Sequence, residues 1–307
     1  MKNFDFVGKA KYFAAGTLLL ILLGVAMFLV HGFNMGLDFV GGTLMELDMG
    51  KSFSEADITD AFARQGIKEV QITTSSDQKT TALVRMRAME NDTREADARA
   101  AVLETLKKSY PDVKMASADR VNGVASGEMV RNAFLAAGIA CVLMLIYITI
   151  RFELLSGIAA VAALLHDMLI MIAFMAIFNL PINSSFVAAV LTIFGYSIND
   201  TIVVFDRIRE NRNRLSRREF TFAQVINRSI RETMARSINT SLTTLITISA
   251  LYILGVDSIK EFSLPIIVGL ISGAYSSIFI ASPIWVWLYD KPFFEKRRKA
   301  EMKFKKA

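Results

Sequence analysis

The run Gly195-Tyr-Ser-Ile-Asn-Asp-Thr-Ile-Val-Val-Phe-Asp-Arg-Ile-Arg-Glu210 puts an acid, Asp200, inside Phe186 to Phe205, an apolar stretch long enough to cross a bilayer. An ionisable group in hydrocarbon is costly, so a carboxylate at that depth marks a functional site by default. The competing account is structural: a neutral Asp200 that hydrogen-bonds a neighbouring helix.

Outward from this stretch, five more of similar length follow the same pattern: Phe13 to Val30, Ala133 to Ile150, Leu154 to Phe178, Ile238 to Leu254 and Leu264 to Leu288. The composition agrees with six spans. At 53% hydrophobic residues, with 22 Phe and 15 Met, the 307-residue chain carries more apolar surface than one soluble core requires. A single cysteine, Cys141, excludes a disulfide-stapled fold and reads as a small core hydrophobe. Lys9 and Lys11 before the first span give it the look of a signal peptide, but no small-x-small cleavage pattern follows, so it is expected to stay as an anchor.

Charge sets the expected orientation. Asp206 to Arg236 holds nine Arg against four acids, and the tail from Lys291 holds eight basic residues against two acids, which assigns both to the cytoplasm. Lys2, Lys9 and Lys11 put the N-terminus on the same side, whereas Gly32 to Glu128, with 12 basic and 16 acidic residues, can be exported. The positive-inside bias and anionic lipid account for the net charge of +6, so no nucleic-acid partner is expected. The organisation predicted is residues 1–31 as cytoplasmic N-terminus and first helix, 32–130 as an exported domain, 131–290 as helices two to six with the basic loop 206–236, and 291–307 as a basic tail.

Within the exported segment, strands are expected at Gly42 to Met49, Lys68 to Thr74, Thr80 to Arg87 and Val113 to Val121. Helices are expected at Ser54 to Gln65, capped by Ser54, and at Asp92 to Ser109. This order, strand-helix-strand twice over, is the ferredoxin-like α+β arrangement, which by itself identifies no function. The fold class expected is therefore an α-helical polytopic membrane protein of six helices with a ferredoxin-like domain between the first two.

Several motifs then carry a resemblance. Phe33-Asn-Met-Gly-Leu-Asp-Phe-Val-Gly-Gly-Thr43, His166-Asp167, Gly195 to Glu210, Arg236-Ser-Ile-Asn-Thr-Ser241, Gly273-Ala-Tyr-Ser-Ser277 and Ala281-Ser-Pro283 together resemble SecD and SecF proteins along nearly the whole chain. The single compact exported segment and the pairing of Asn199-Asp-Thr with Phe205-Asp-Arg-Ile-Arg-Glu are similar to the SecF branch. The resemblance implies a subunit of the inner membrane, related to resistance-nodulation-division transporters, that uses the proton gradient to assist protein export. The implied partners are SecD, the SecY-SecE-SecG channel, YajC, YidC, a translocating preprotein and membrane lipid. No metal, nucleotide or organic cofactor is implied, nor catalysis. The alternative is a proton-coupled exporter of small molecules or lipids, which with one six-helix half would also need a partner. No His-Glu-x-x-His or Gly-x-Ser-x-Gly pattern supports an intramembrane hydrolase.

Helix geometry narrows the proton path. Tyr196, Ser197, Asp200 and Thr201 share one face, flanked by Ile193 and Val204; Asn199, Val203, Asp206 and Glu210 form the adjoining stripe. Arg236 opens the fifth span at a similar depth, with Asp200 about 9 Å inside Asp206. Arg236 either pairs with Asp200 and holds it ionised, or snorkels to the interface as flanking charge. His166 and Asp167 make a second polar pair in the third span, as a secondary relay or as a buried hydrogen-bonded couple. Asn199, Thr201, Asn239, Thr240 and Ser241 are expected to support Asp200. Gly269, Gly273 and Ser277 form a packing stripe, Trp285, Trp287 and Tyr289 an interfacial belt, and Asp38 the cap of the glycine-rich turn at 36–42.

Overall fold

The computed structural model describes residues 4–67, 70–74, 80–87, 89, 92–121, 123–215 and 219–291. The chain divides into two compact units, one made of residues 34–135 and 181–184 and the other of residues 1–33, 136–180 and 185–307.

The chain enters through helix α1, Phe6–His31. Its N-cap is Asp5, whose carboxylate accepts the Gly8 amide at 2.9 Å and the Asn227 side-chain amide at 2.7 Å. Asn227 in turn accepts the Phe6 and Val7 amides at 2.8 and 3.1 Å, so three first-turn N–H groups left without helical partners are satisfied. The Gly8 amide, then Asn227, hold the Asp5 carboxyl below its usual range. The helix ends at Gly32, where φ is 74°.

The unit that follows opens with a short helix α2, Leu37–Val40, where only a turn is expected. Six elements come next: strand β1 (Gly42–Asp48), helix α3 (Glu55–Ala63), strands β2 (Val70–Thr74) and β3 (Thr81–Met86), helix α4 (Asp92–Lys107) and strand β4 (Lys114–Val121). They match the predicted order; positions 68 and 69 of the second predicted strand lie outside the described residues. The four strands form one antiparallel sheet in the order β2-β3-β1-β4, with a register shift in β1 between Glu46 and Leu47 against β4. Strand alternation puts Met45, Leu47, Val84 and Met86 on one face, buried with Ile58, Phe62, Val102 and Leu106. Ser54 stands at the predicted cap of α3, but its side chain makes no capping bond. Instead Tyr110 accepts the Ser54 amide at 3.3 Å and donates to Asp57 at 2.5 Å, and the bond to Asp57 pushes the phenol up.

Helices α5 (Gly123–Arg151), α6 (Leu154–Ile177), α7 (Ser184–Arg214) and α8 (Phe222–Leu254) follow. The last span is compound: helix α9 (Asp257–Ser276), a π turn (Ser277–Ala281) and helix α10 (Ser282–Asp290). With α1 these make six helices long and apolar enough to cross a membrane, matching the six predicted stretches. Three of them, α6, α7 and the last span, are the buried ones; α1, α5 and α8 turn most of their apolar side chains outward. Close approach among the inner helices depends on missing side chains. A Cβ at Gly269 would lie 2.4 Å from Ile193 Cγ1, and one at Gly273 would lie 3.1 Å from Ser197 Cβ.

One predicted detail changes. Trp285 is not in an interfacial belt but buried, its ring 4.7 Å from Phe205 and 5.5 Å from Phe222, because α8 begins well before the predicted span and brings Phe222 over it. Trp287 is exposed with the Lys291 ammonium over its ring, as expected of the belt. Cys141 is free and half-buried on α5.

Candidate functional site

Two carboxylates lie deep in the inner helices. On α7, Asp200 is 7% exposed, and the face predicted for it is buried at Ile193, Ser197, Thr201 and Val204; Tyr196 alone of that set turns outward. Among the described residues Asp200 has one hydrogen-bond partner, the Ser241 hydroxyl of α8, which donates to Oδ2 at 2.9 Å. Of the five residues expected to support Asp200, Ser241 is the one that hydrogen-bonds to it. Thr201 is buried beside it on the same helix, while Asn199, Asn239 and Thr240 are exposed. The Thr240 hydroxyl bonds back to the Arg236 carbonyl at 2.9 Å.

Arg236 does not pair with Asp200. It is exposed, and no ion pair joins the two. Helix geometry gives the reason: Ser241, which faces Asp200, follows Arg236 by five positions, so the two side chains point about 140° apart at ~3.6 residues per turn. The arginine side chains that do pair lie nearer the Arg214 end of α7. Arg207 donates to Glu232 at 2.6 Å and Glu210 at 2.5 Å, Arg228 to Glu232 at 2.9 Å, and Arg151 to Asp206 at 3.2 Å. Asn211 adds bonds to Glu232 and Ser229 at 2.6 and 3.0 Å. That network clamps α7 to α8 on the register that also matches Asp200 with Ser241.

Asp167 of α6 is the better-surrounded acid. It is fully buried. Its Oδ2 accepts the hydroxyls of Ser197 at 2.6 Å and Ser276 at 2.8 Å, and its Oδ1 accepts that of Ser272 at 2.6 Å and lies 3.2 Å from His166 Nδ1. Thus α6, α7 and α9 meet at one carboxylate, and the π turn begins directly after Ser276. The His166 ring stacks at 6.2 Å on Tyr275, and its Nε2 is buried without a hydrogen-bond partner. Sequence reasoning missed Ser272 and Ser276 as partners. Their spacing of four residues on one helix face, beside the Gly269 and Gly273 stripe, is the signal that names them.

Asp38 does not cap its own turn. Its Oδ2 accepts the Ser184 amide at 3.0 Å and the Ser184 hydroxyl in a short hydrogen bond, both at the first residue of α7. Among the described residues no group of three His, Cys, Asp or Glu side chains is placed to hold a metal.

These arrangements sit on a chain with clear relatives. Residues 101–291 match the model of the protein export membrane protein SecD/SecF C-terminal family, and residues 26–52 that of the SecD/SecF GG motif. A protein translocase subunit SecF from Sebaldella termitidis is 38% identical over 96% of this chain and 94% of its own, and one from Petrotoga mobilis is 35% identical over 99% and 100%. The crystal structure of SecDF, a translocon-associated membrane protein from Thermus thermophilus, superposes with a TM-score of 0.81 at 36% identity, covering 94% of this chain. This chain spans 39% of the length of that one. The motif after the first span and the helices from residue 101 to residue 291 thus each match, and this multi-pass membrane chain belongs to the SecD/SecF family of protein-export membrane proteins.

Proposed function

We propose that the chain works as a SecF-type subunit that joins a SecD-type partner and the translocon channel and uses proton movement through Asp200 to assist protein export. The observation that carries this is the setting of Asp200: buried in a membrane-spanning helix, with a single hydroxyl among the described residues to hold it. A carboxylate with one partner can gain or lose a proton without dismantling a network, and the change of charge alters how strongly α7 holds α8. Arg236 reaches Asp200 only in a state where α8 has turned, so a relay through both residues is a movement as well as a proton transfer. The partnership with SecD draws support from the solved SecDF chain, of which this chain matches 39%.

The domain between the first two spans is, on this proposal, exported and ferredoxin-like. Its support is the β2-β3-β1-β4 order with helices between β1 and β2 and between β3 and β4. Both termini then face the cytoplasm, in line with the basic loop 206–236 and tail. YajC, YidC and the preprotein complete the expected assembly, embedded in lipid. His166 and Asp167 form a second candidate relay, favoured by the unpartnered Nε2.

The test uses the reconstituted complex with an imposed proton gradient. Asp200→Asn assembles and supports gradient-independent export at the normal rate but loses the gradient-dependent increment and the proton flux. A well-assembled Asn variant with full stimulation removes Asp200 from the path. Copurification with a SecD-type chain and the channel supports this function; self-assembly with export of a small compound supports the transporter alternative.

A further inference from the structure

The segment following the first span is stitched to the three residues before α7. The Ile182 amide donates to the Asn34 carbonyl at 2.8 Å, and the Gly36 amide donates to the Ile182 carbonyl at 2.8 Å, making a parallel bridge at Met35 and Ile182. Gly36 has no side chain for a steric reason: a Cβ there would lie 2.7 Å from Asn183 Cβ and 3.2 Å from the Ile182 carbonyl oxygen. From Gly36 the chain turns directly into α2, whose Phe39 and Val40 amides bond the Gly36 carbonyl. That turn presents Asp38 to Ser184. An amide in the first turn of a helix has no intrahelical acceptor, and the positive end of the helix dipole favours a carboxylate there. Asp38 supplies both, and takes the Ser184 hydroxyl as well.

We infer that Asp38 is a positioning residue that holds the leading end of α7 to the glycine-containing motif after the first span, and that this contact transmits movement of α7 to the export step. The helix so held is the one that carries Asp200, sixteen residues or about 24 Å further along at ~1.5 Å per residue. Beyond Asp200, the bonds from Arg207 and Asn211 to Glu232 fix the other end of α7 to α8. A stiff element held at both ends and charged in the middle converts a local change at Asp200 into displacement at its ends. The assignment rests on the proposed proton-driven role of Asp200.

The experiment measures proton flux and gradient-stimulated export in the same vesicles, with the full chain in its assembled complex. Asp38→Ala keeps proton flux at the wild-type level while stimulation falls by about tenfold or more, the size set by losing hydrogen bonds to a charged group. Asp38→Asn, which retains an acceptor oxygen for the Ser184 amide, recovers part of it. If Asp38→Ala does not accumulate, Ser184→Ala, which leaves the amide in place, is expected to give the same split in smaller measure. Normal stimulation in these variants, or flux and stimulation lost together, overturns the Asp38 assignment. Normal flux and stimulation in Asp200→Asn overturns the proton-path proposal instead, so the two failures are told apart.

Discussion

Asp167 and Asp200 are both acids sunk in the inner helices, yet one is caged and the other is nearly free. Asp167 is sealed from solvent and receives three serine hydroxyls and a histidine from its surroundings. Asp200 is 7% exposed and, among the described residues, receives Ser241 alone. The contrast separates two uses of a buried carboxylate. Where hydroxyls from two other helices converge on one carboxylate, the group joins helices; where a single donor meets it, the group can change state at small cost to the packing.

The largest effect is therefore expected at Asp167. Truncation in Asp167→Ala strands the Ser197 and Ser272 hydroxyls at ~1–3 kcal/mol each, leaves Ser276 with the Gly273 carbonyl at 3.3 Å, and opens a void where three helices converge. The variant should unfold well below the wild type in a thermal melt in detergent, whereas Asp200→Ala should melt close to it. Equal losses at the two positions would erase the distinction. A milder variant sharpens it: if Asp167→Asn melts normally but loses gradient-dependent export, Asp167 carries protons and the His166–Asp167 relay is the better account.

A smaller effect is expected from Ser241→Ala, which removes the one partner of Asp200 among the described residues. One hydrogen bond is worth ~0.5–1.5 kcal/mol of stability, and bonds to charged groups somewhat more. The functional consequence should exceed the structural one. Without the hydroxyl the proton affinity of Asp200 changes, so the pH dependence of stimulated export should move while assembly stays normal. An unmoved pH profile would mean that the Ser241 bond has no part in the proton step.

The sequence made one of these carboxylates conspicuous and hid the other's importance for a definite reason. Six apolar runs, basic flanks and alternating strands are local signals, and they located every span and the sheet domain. Asp200 stood out because it interrupts such a run. Asp167 interrupts one too, but its partners at positions 197, 272 and 276 lie on helices remote in sequence, and no local pattern counts donors across helices. The same limit explains Trp285, aromatic and near a span end, yet covered by Phe205 and Phe222 from other helices. Asp38 is a third case: its partner Ser184 is 146 residues away, and the local pattern shows only the glycine-rich turn.

Arg236→Met should have the smallest effect of the set on stability, and its functional effect decides how much of the proton step this conformation contains. The side chain is exposed, makes no ion pair with Asp200 and points away from the face that carries Ser241. Removing an exposed charge that makes no ion pair among the described residues changes stability by less than about 0.5 kcal/mol. If gradient-stimulated export is also unchanged, Arg236 is flanking charge that sets topology, and Asp200 works with Ser241 alone. If stimulation is lost while the melt is unmoved, then α8 must rotate during the cycle to bring the guanidinium to the carboxylate. The loosely held acid would then be the pivot of that rotation, with the clamp at Glu232 as its fixed end, and a cross-link preventing α8 from turning should reproduce the Met variant's loss.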